Sequence, residues 1–299
     1  MRVLVTGCRG QIGAEVVRAL AGRAEVIAHD HASLDLTTPD AIARGVREAR
    51  PDVVVNAAAY TAVDRAESDE PAAHAVNALA PAILAEEARR AGALLVHFST
   101  DYVFDGTKAG AYVETDTPRP PNAYGRTKLE GERAIAASGA AYLIVRTSWV
   151  YGPQGGNFVR TMLRLAETRE ELRVVDDQRG APTSSLQLAR ATVELIGGGA
   201  GAITAESVAQ AKARAGLYHA TAQGSTTWFD FAEAIFAEWP RLAPGFRVPR
   251  LVAIRSGDYP TPARRPANSL LDSSRLAGAF GVRLGPWREA LVETLSAWR

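Results

Sequence analysis

The sequence predicts an α/β fold, a doubly wound parallel sheet followed by a smaller C-terminal α/β lobe. Three observations predict it. Strand-like apolar runs alternate with helix-period segments six times before Gly152, and a glycine-rich turn joins the first strand to the first helix. Beyond Gly152 the alternation decays into shorter, loop-rich segments.

A chain of 299 residues suffices for one large core with an appended lobe, since single cores stop growing near ~250–300 residues. The expected boundary falls at 150/151, with residues 184–222 returning to the first domain. With 34 basic and 33 acidic residues the net charge is +1, which leaves no electrostatic footprint for nucleic acid or an anionic membrane. Any anionic ligand must be held locally. No run of eighteen apolar residues is present, and the apolar stretch 3–5 is too short for a signal peptide. The single cysteine, Cys8, excludes an internal disulfide and fits a reducing, cytoplasmic setting.

Residues 2–6 (RVLVT) are apolar and β-branched, as a buried parallel strand requires. Gly7, Gly10 and Gly13 then open a helix-period run, the context in which backbone N–H groups and a helix dipole receive a pyrophosphate. A second strand, 25–29, ends at Asp30. A carboxylate there suits adenosine ribose hydroxyls and disfavours a 2′-phosphate, and it suits an ordinary turn as well. Asp35 and Leu36 follow, beside the expected adenine position. Residues 39–50 read as a helix and 51–56 as the next strand, with Ala57, Ala58 and Ala59 after it. Small residues there admit either a flat cofactor or tight packing.

The helical segment 71–91 carries Asn77 four residues before Pro81. Proline has no N–H for the Asn77 carbonyl, so a kink is expected and the carbonyl is free, with or without a role at the site. Strand 94–100 ends in Ser99 and Thr100, followed by Asp101 and Tyr102. Ligands of open α/β sheets lie beyond such carboxyl ends, although Ser and Thr also form turns there. The next helix opens with Asn122-Ala123-Tyr124-Gly125-Arg126-Thr127-Lys128, and strand 142–147 follows it. Tyr124 and Lys128 share one helix face, about 6 Å apart along the axis. A phenol near pKa ~10 donates poorly at neutral pH unless its anion is stabilised, and an ammonium stabilises it. Y-x-x-x-K also occurs on ordinary half-exposed helices.

In the second half, 157–171 reads as a helix, 172–176 as a short strand and 177–183 as a polar loop. The Gly/Ala-rich stretch 197–202 and the Ala/Lys/Glu run after it read as a surface excursion. Residues 217–220 form a late strand, and 228–239 and 286–298 are helical, joined by the proline-rich stretch 259–266.

Together, T-G-x-x-G-x-x-G after a strand, then N-A-A-A, S-T-D-Y and Y-x-x-x-K resemble the Rossmann-like extended short-chain dehydrogenase/reductases. Within them HFSTDYVFDG (97–106), RTSWVYG (146–152), VVDDQRGAPT (174–183) and RPANSL (265–270) resemble the dTDP-4-dehydrorhamnose reductases. The likeness covers nearly the whole chain and is weakest over 197–215, where an insertion is expected.

The resemblance implies hydride transfer from NADPH or NADH to the C4 keto group of dTDP-4-dehydro-L-rhamnose. It implies Tyr124 as proton donor, Lys128 as the group that lowers its pKa and holds the nicotinamide ribose, and Thr100 as hydrogen-bond partner of the keto oxygen. Cofactor contacts would come from Gly7, Gly10, Gln11, Ile12, Gly13, Asp30, Asp35, Leu36, Ala57, Ala58, Ala59, Asn77, Ser99, Tyr124 and Lys128. The sugar nucleotide would meet Val63, Thr100, Asp101, Tyr102, Tyr124 and Trp149, with Asn157, Gln178 and Arg179 at its nucleotide end. Some family members hold magnesium between two subunits through carboxylates on the first helix and on the helix after G-A-P-T. Glu15 matches the first, but Leu186, Gln187 and Arg190 stand where the others belong. That departure speaks against the metal and that dimer, leaving a monomer or weak homodimer with a small-molecule nucleotide sugar as its partner.

Three other functions compete. A dehydratase needs a carboxylate pair beside the threonine, and here Asp101 is followed by Tyr102, which argues against elimination. A non-catalytic regulatory subunit of the same fold has no need for Thr100, Tyr124 and Lys128 together. A reductase of a related nucleotide 4-keto sugar in natural-product glycosylation is not separated by these motifs.

Overall fold

Val3 and Val5 pack on one face of the first strand and Leu4 on the other, and both faces are buried. The same split recurs at Val53 and Val55 against Val54, and at Leu94 and Val96 against Leu95. Continuous apolar strands are what a sheet covered on both sides requires, each buried aliphatic side chain contributing ~1.5–3 kcal/mol. The computed structural model describes residues 1–199 and 201–298.

The elements run β1 (Arg2–Thr6), α1 (Gln11–Leu20), β2 (Glu25–His29), α2 (Pro39–Ala49), β3 (Val53–Asn56), α3 (Val63–Ala66), α4 (Glu70–His74), α5 (Ala80–Ala91), β4 (Leu94–Thr100), α6 (Ala123–Ala137) and β5 (Ala141–Thr147). There follow β6 (Val150–Tyr151), α7 (Phe158–Ala166), β7 (Glu171–Val175), β8 (Arg179–Gly180), β9 (Thr183–Ser184), α8 (Ser185–Leu195), α9 (Ala205–Ala213) and β10 (Gly216–His219). Last come β11 (Thr226–Thr227), α10 (Trp228–Leu242), β12 (Arg250–Ile254), α11 (Ser274–Phe280) and α12 (Trp287–Ser296). Six strands form a parallel sheet in the order β2-β1-β3-β4-β5-β10. The order reverses at β1, the switch point beside which α/β sheets receive ligands. One layer sets Val16 and Leu20 of α1 and Leu188 of α8 on the sheet; the other sets Ile42, Leu84 and Ile135 of α2, α5 and α6 on it. A separate core, including Tyr151, Phe231, Trp287 and Leu291, fills the C-terminal lobe.

Several elements differ from the sequence expectation. The single helix expected over 71–91 is α4 and α5 joined by a π-helical turn, Ala75–Leu79. Pro81 withholds an N–H from Asn77, and the wider turn absorbs the mismatch. The Asn77 carbonyl packs so closely on Gly131 of α6 that a Cβ there would overlap it. The helix expected to reach 171 stops at Ala166, and β12, unforeseen, pairs in parallel with β7. The stretch expected as a surface excursion is docked. Thr204 and Ser207 cap α9 reciprocally, Ile203, Val208 and Ala211 are buried in the main core, and Arg23 donates to the carbonyls of Gly198, Gly199 and Gly201. Ala200 of that stretch lies outside the described residues. Among the described residues no helix is long and apolar enough to cross a membrane.

Candidate active site

A cavity of about 900 Å³ opens at the carboxyl edge of the sheet, between the glycine turn and the lobe. Gly7 has φ +70, and a Cβ on it would stand 2.8 Å from the backbone of Ala58. Only glycine lets the turn after β1 lie this close to the end of β3. Gly13 meets the Gly7 carbonyl in the same way, which seats α1 on the turn. The N-cap of α1 is Gly10, with no side-chain cap, so the helix presents unsatisfied N–H groups where Gly7, Gly10, Gln11 and Ile12 line the cavity. That cradle, with Ala57, Ala58 and Ala59 beside it, fits a dinucleotide diphosphate.

At the far end of the turn, Asp30 is not a bare ribose ligand. Its Oδ1 accepts from the Ser33 N–H (3.0 Å) and hydroxyl (2.9 Å), and Oδ2 pairs with Arg9 Nε at 2.8 Å. Ser33, before Arg9, holds the carboxyl below its usual range. The exposed Arg9 guanidinium thus adds a cation where the sequence reading saw only an anion. Asp35 spends Oδ1 on the Thr37 N–H and hydroxyl.

The reacting end is built by β4 and α6. Thr100 Oγ1 accepts from the Tyr102 N–H (3.1 Å) and donates to Asp101 Oδ1 (3.0 Å). Asn122 caps α6 by accepting from the Gly125 N–H (2.8 Å), and its Nδ2 donates to the Arg264 carbonyl (2.8 Å). Gly125 rests on the Tyr102 carbonyl so tightly that a Cβ would overlap it, which brings the first turn of α6 onto the Thr100–Tyr102 segment. Tyr102 and Tyr124 meet edge to face at 5.6 Å. Burial pushes the Tyr124 phenol above its ordinary value, while the Thr100 hydroxyl beside it pulls the other way. Lys128, buried, donates to the Phe98 carbonyl at 2.6 Å; burial pushes it down to about 8, against the charge of Glu132. Asp101, also buried, is pushed up to about 6 by desolvation, with the Ser269 and Thr100 hydroxyls pulling the other way.

Thr100, Tyr124 and Lys128 therefore line one cavity, together with Asp30, Asp35, Leu36, Val63, Ser99, Asp101, Tyr102 and Trp149. Gly13, Asn77, Asn157, Gln178 and Arg179 stand outside its lining. Asn77 instead holds the Tyr60 backbone, accepting from its N–H (2.9 Å) and donating to its carbonyl (3.0 Å). Asn157 caps α7 and donates to Gln11 Oε1 (3.1 Å), tying the lobe to the glycine turn. Gln178 accepts from Trp228 Nε1 (3.2 Å), and the exposed Arg179 reaches Ser225 (3.3 Å). The Ser99 hydroxyl is taken by Glu132.

Sequence reasoning missed Arg9, Phe158 and Trp228, all on the cavity wall. Trp228 stacks on Trp149 with ring centroids 3.5 Å apart, and Phe158 packs against it at 4.6 Å. Trp149 has φ 49, a costly conformation for a bulky residue, held here by Trp228 on one side and by Gly180, too close for a side chain, on the other. No spacing rule joins these aromatics, because the lobe brings them together. Glu15, the one residue matching a metal-binding pattern, is buried and paired with Arg18. Among the described residues no group of three or more His, Cys, Asp or Glu is placed to hold a metal.

Known proteins are similar to this chain over nearly its whole length. The family described as "RmlD substrate binding domain" matches residues 1–299. A dTDP-4-dehydrorhamnose reductase of Burkholderia thailandensis is 49% identical over 294 residues, 97% of each chain. The crystal structure of a dTDP-4-dehydrorhamnose reductase from Bacillus anthracis in complex with NADP superposes with a TM-score of 0.89 at 33% identity, covering 99% of both chains. A Streptomyces antibioticus protein named a probable dTDP-4,6-dihydroxy-2-methyloxan-3-one 4-ketoreductase is 42% identical over 302 residues, 98% of this chain and 94% of its own.

Proposed function

The chain belongs to the RmlD substrate binding domain family, and on that premise we propose that it reduces the C4 keto group of dTDP-4-dehydro-L-rhamnose with NADPH, giving dTDP-L-rhamnose. The observation that carries the reading is the convergence of Thr100, Tyr124 and Lys128 on a cavity whose other end is a diphosphate cradle. Relatives of the same length carry the reductase name, and one is a complex with NADP.

When bound, the reduced nicotinamide supplies the hydride. A carbonyl receiving it develops negative charge on oxygen, which must be stabilised and protonated at once. Tyr124 holds the proton. Its burial keeps the phenol from ionising in the resting protein, so the hydroxyl is a donor at neutral pH. Thr100 stands beside it as a second hydroxyl, fixed by the Tyr102 N–H. Lys128 is anchored by the Phe98 carbonyl on the same helix face, where positive charge on Nζ eases formation of the phenolate. At the adenosine end, Arg9 beside Asp30 offers a guanidinium to a 2′-phosphate, which accounts for NADPH despite the carboxylate.

A second reading, reduction of a related dTDP-4-keto sugar, is favoured by the Streptomyces antibioticus relative. The test supplies NADPH with dTDP-4-dehydro-L-rhamnose or with other dTDP-4-keto sugars and follows nicotinamide absorbance. Oxidation with the first sugar is expected. Oxidation with the others alone moves the assignment to the second reading, and no oxidation with any of them removes the enzyme reading.

A further inference from the structure

A file of buried polar side chains crosses the sheet beneath the cavity. Thr6, Asn56 and His97 are register neighbours on β1, β3 and β4. The Thr6 hydroxyl meets Asn56 Oδ1 at 2.7 Å, Asn56 Nδ2 meets His97 Nδ1 at 2.9 Å, and His97 Nε2 meets Lys128 Nζ at 3.2 Å. The relative exposures of the four are 1%, 0%, 0% and 1%, so no bulk solvent enters the file. Aliphatic residues would pack such a position more cheaply than a polar file.

The protons along the file can be counted. Asn56 Oδ1 also accepts from the Ala58 N–H at 3.3 Å. A backbone N–H only donates, so the amide oxygen lies on that side and Nδ2 faces His97. His97 Nδ1 must then accept. Burial above all holds the ring well below its ordinary pKa, so it is neutral and, with Nδ1 accepting, its one proton sits on Nε2. That proton points at Lys128. An ammonium has nothing to accept it with, whereas an amine has a lone pair.

We propose that His97 is a positioning residue which favours the neutral amine of Lys128 and so makes the lysine harder to protonate, its tautomer being dictated from β1 through Asn56. The other titratable and charged groups packed around Lys128 do not replace it. Asp101 and Tyr102 belong to the turn after β4, Tyr124 lies on α6, and Glu132, also on α6, is engaged by Ser99 and by both forks of Arg146 from β5. Forming the ammonium requires the His97 proton to pass to Nδ1 and the Asn56 amide to turn over, which breaks its bond to Ala58. Ala58 lines the cavity against the glycine turn. The backbone that would receive the cofactor therefore orients the residue that sets the lysine's charge.

The consequence for turnover rests on the reductase reading, but the proton positions do not, because they are read in the free protein without cofactor or sugar. The chain has only three lysines (Lys108, Lys128 and Lys212) and five histidines, so nitrogen NMR resolves both groups, with Lys128→Met assigning the lysine signal. The native protein is expected to show a Lys128 midpoint near pH 8 and, above that midpoint, His97 protonated at Nε2. In Asn56→Asp the new carboxylate accepts from Nδ1–H, which frees Nε2 to accept from the lysine, and the midpoint is expected to rise by at least about one pH unit. A native His97 protonated at Nδ1 above the lysine midpoint overturns the proposal, as does an unmoved midpoint in a folded Asn56→Asp. If that variant does not fold, the native tautomer alone decides.

Discussion

Glu132 and Arg146 form a two-pronged ion pair inside the protein: Arg146 Nε donates to Oε1 at 2.8 Å and an Arg146 terminal nitrogen donates to Oε2 at 2.6 Å. Both residues are buried, and the guanidinium also lies over the Phe104 ring at 5.0 Å. The pair clamps α6 to β5 one turn beyond Lys128.

Removing one partner strands the other. Arg146→Met is expected to lower stability by about 3–5 kcal/mol in urea unfolding, whereas Arg146→Met with Glu132→Leu costs much less, because no charge is then left buried alone. A single variant within about 1 kcal/mol of the native protein contradicts the clamp.

Asp101 gives stability a pH dependence of known sign. Its folded pKa, about 6, lies above the ordinary 3.8, so its contribution is complete below 3.8 and is lost as pH rises through 6. The difference corresponds to on the order of 3 kcal/mol. Asp101→Asn is therefore expected to gain stability relative to the native protein between pH 4 and pH 7. Melting profiles that stay parallel across that window refute the assignment.

Arg9→Ala is expected to weaken NADPH binding roughly 10- to 100-fold, the usual worth of a hydrogen bond to a charged group, with a much smaller effect on NADH. Fluorescence titration of each cofactor checks it. Equal losses for both exclude a 2′-phosphate contact.

These expectations differ in how far they were legible in the linear chain. The parallel strands were, because a sheet buried on both faces leaves runs such as Val53-Val54-Val55, and Tyr124 with Lys128 followed from helical spacing. Asn77 was legible as the site of a helical irregularity, but its side chain's use by Tyr60 depends on how the π turn rotates it. Phe158 and Trp228 reach the cavity only through the packing of the lobe, and Thr6, Asn56 and His97 align only through strand register. Arg9 lay in plain view, but its meaning depends on Asp30 standing across the turn.

The central claim is that Tyr124 is the proton donor, and single-turnover oxidation of NADPH with dTDP-4-dehydro-L-rhamnose by Tyr124→Phe tests it most directly. Cofactor binding is expected to be retained while the rate falls by on the order of 10²- to 10⁴-fold. A folded Tyr124→Phe that turns over at the native rate contradicts the account.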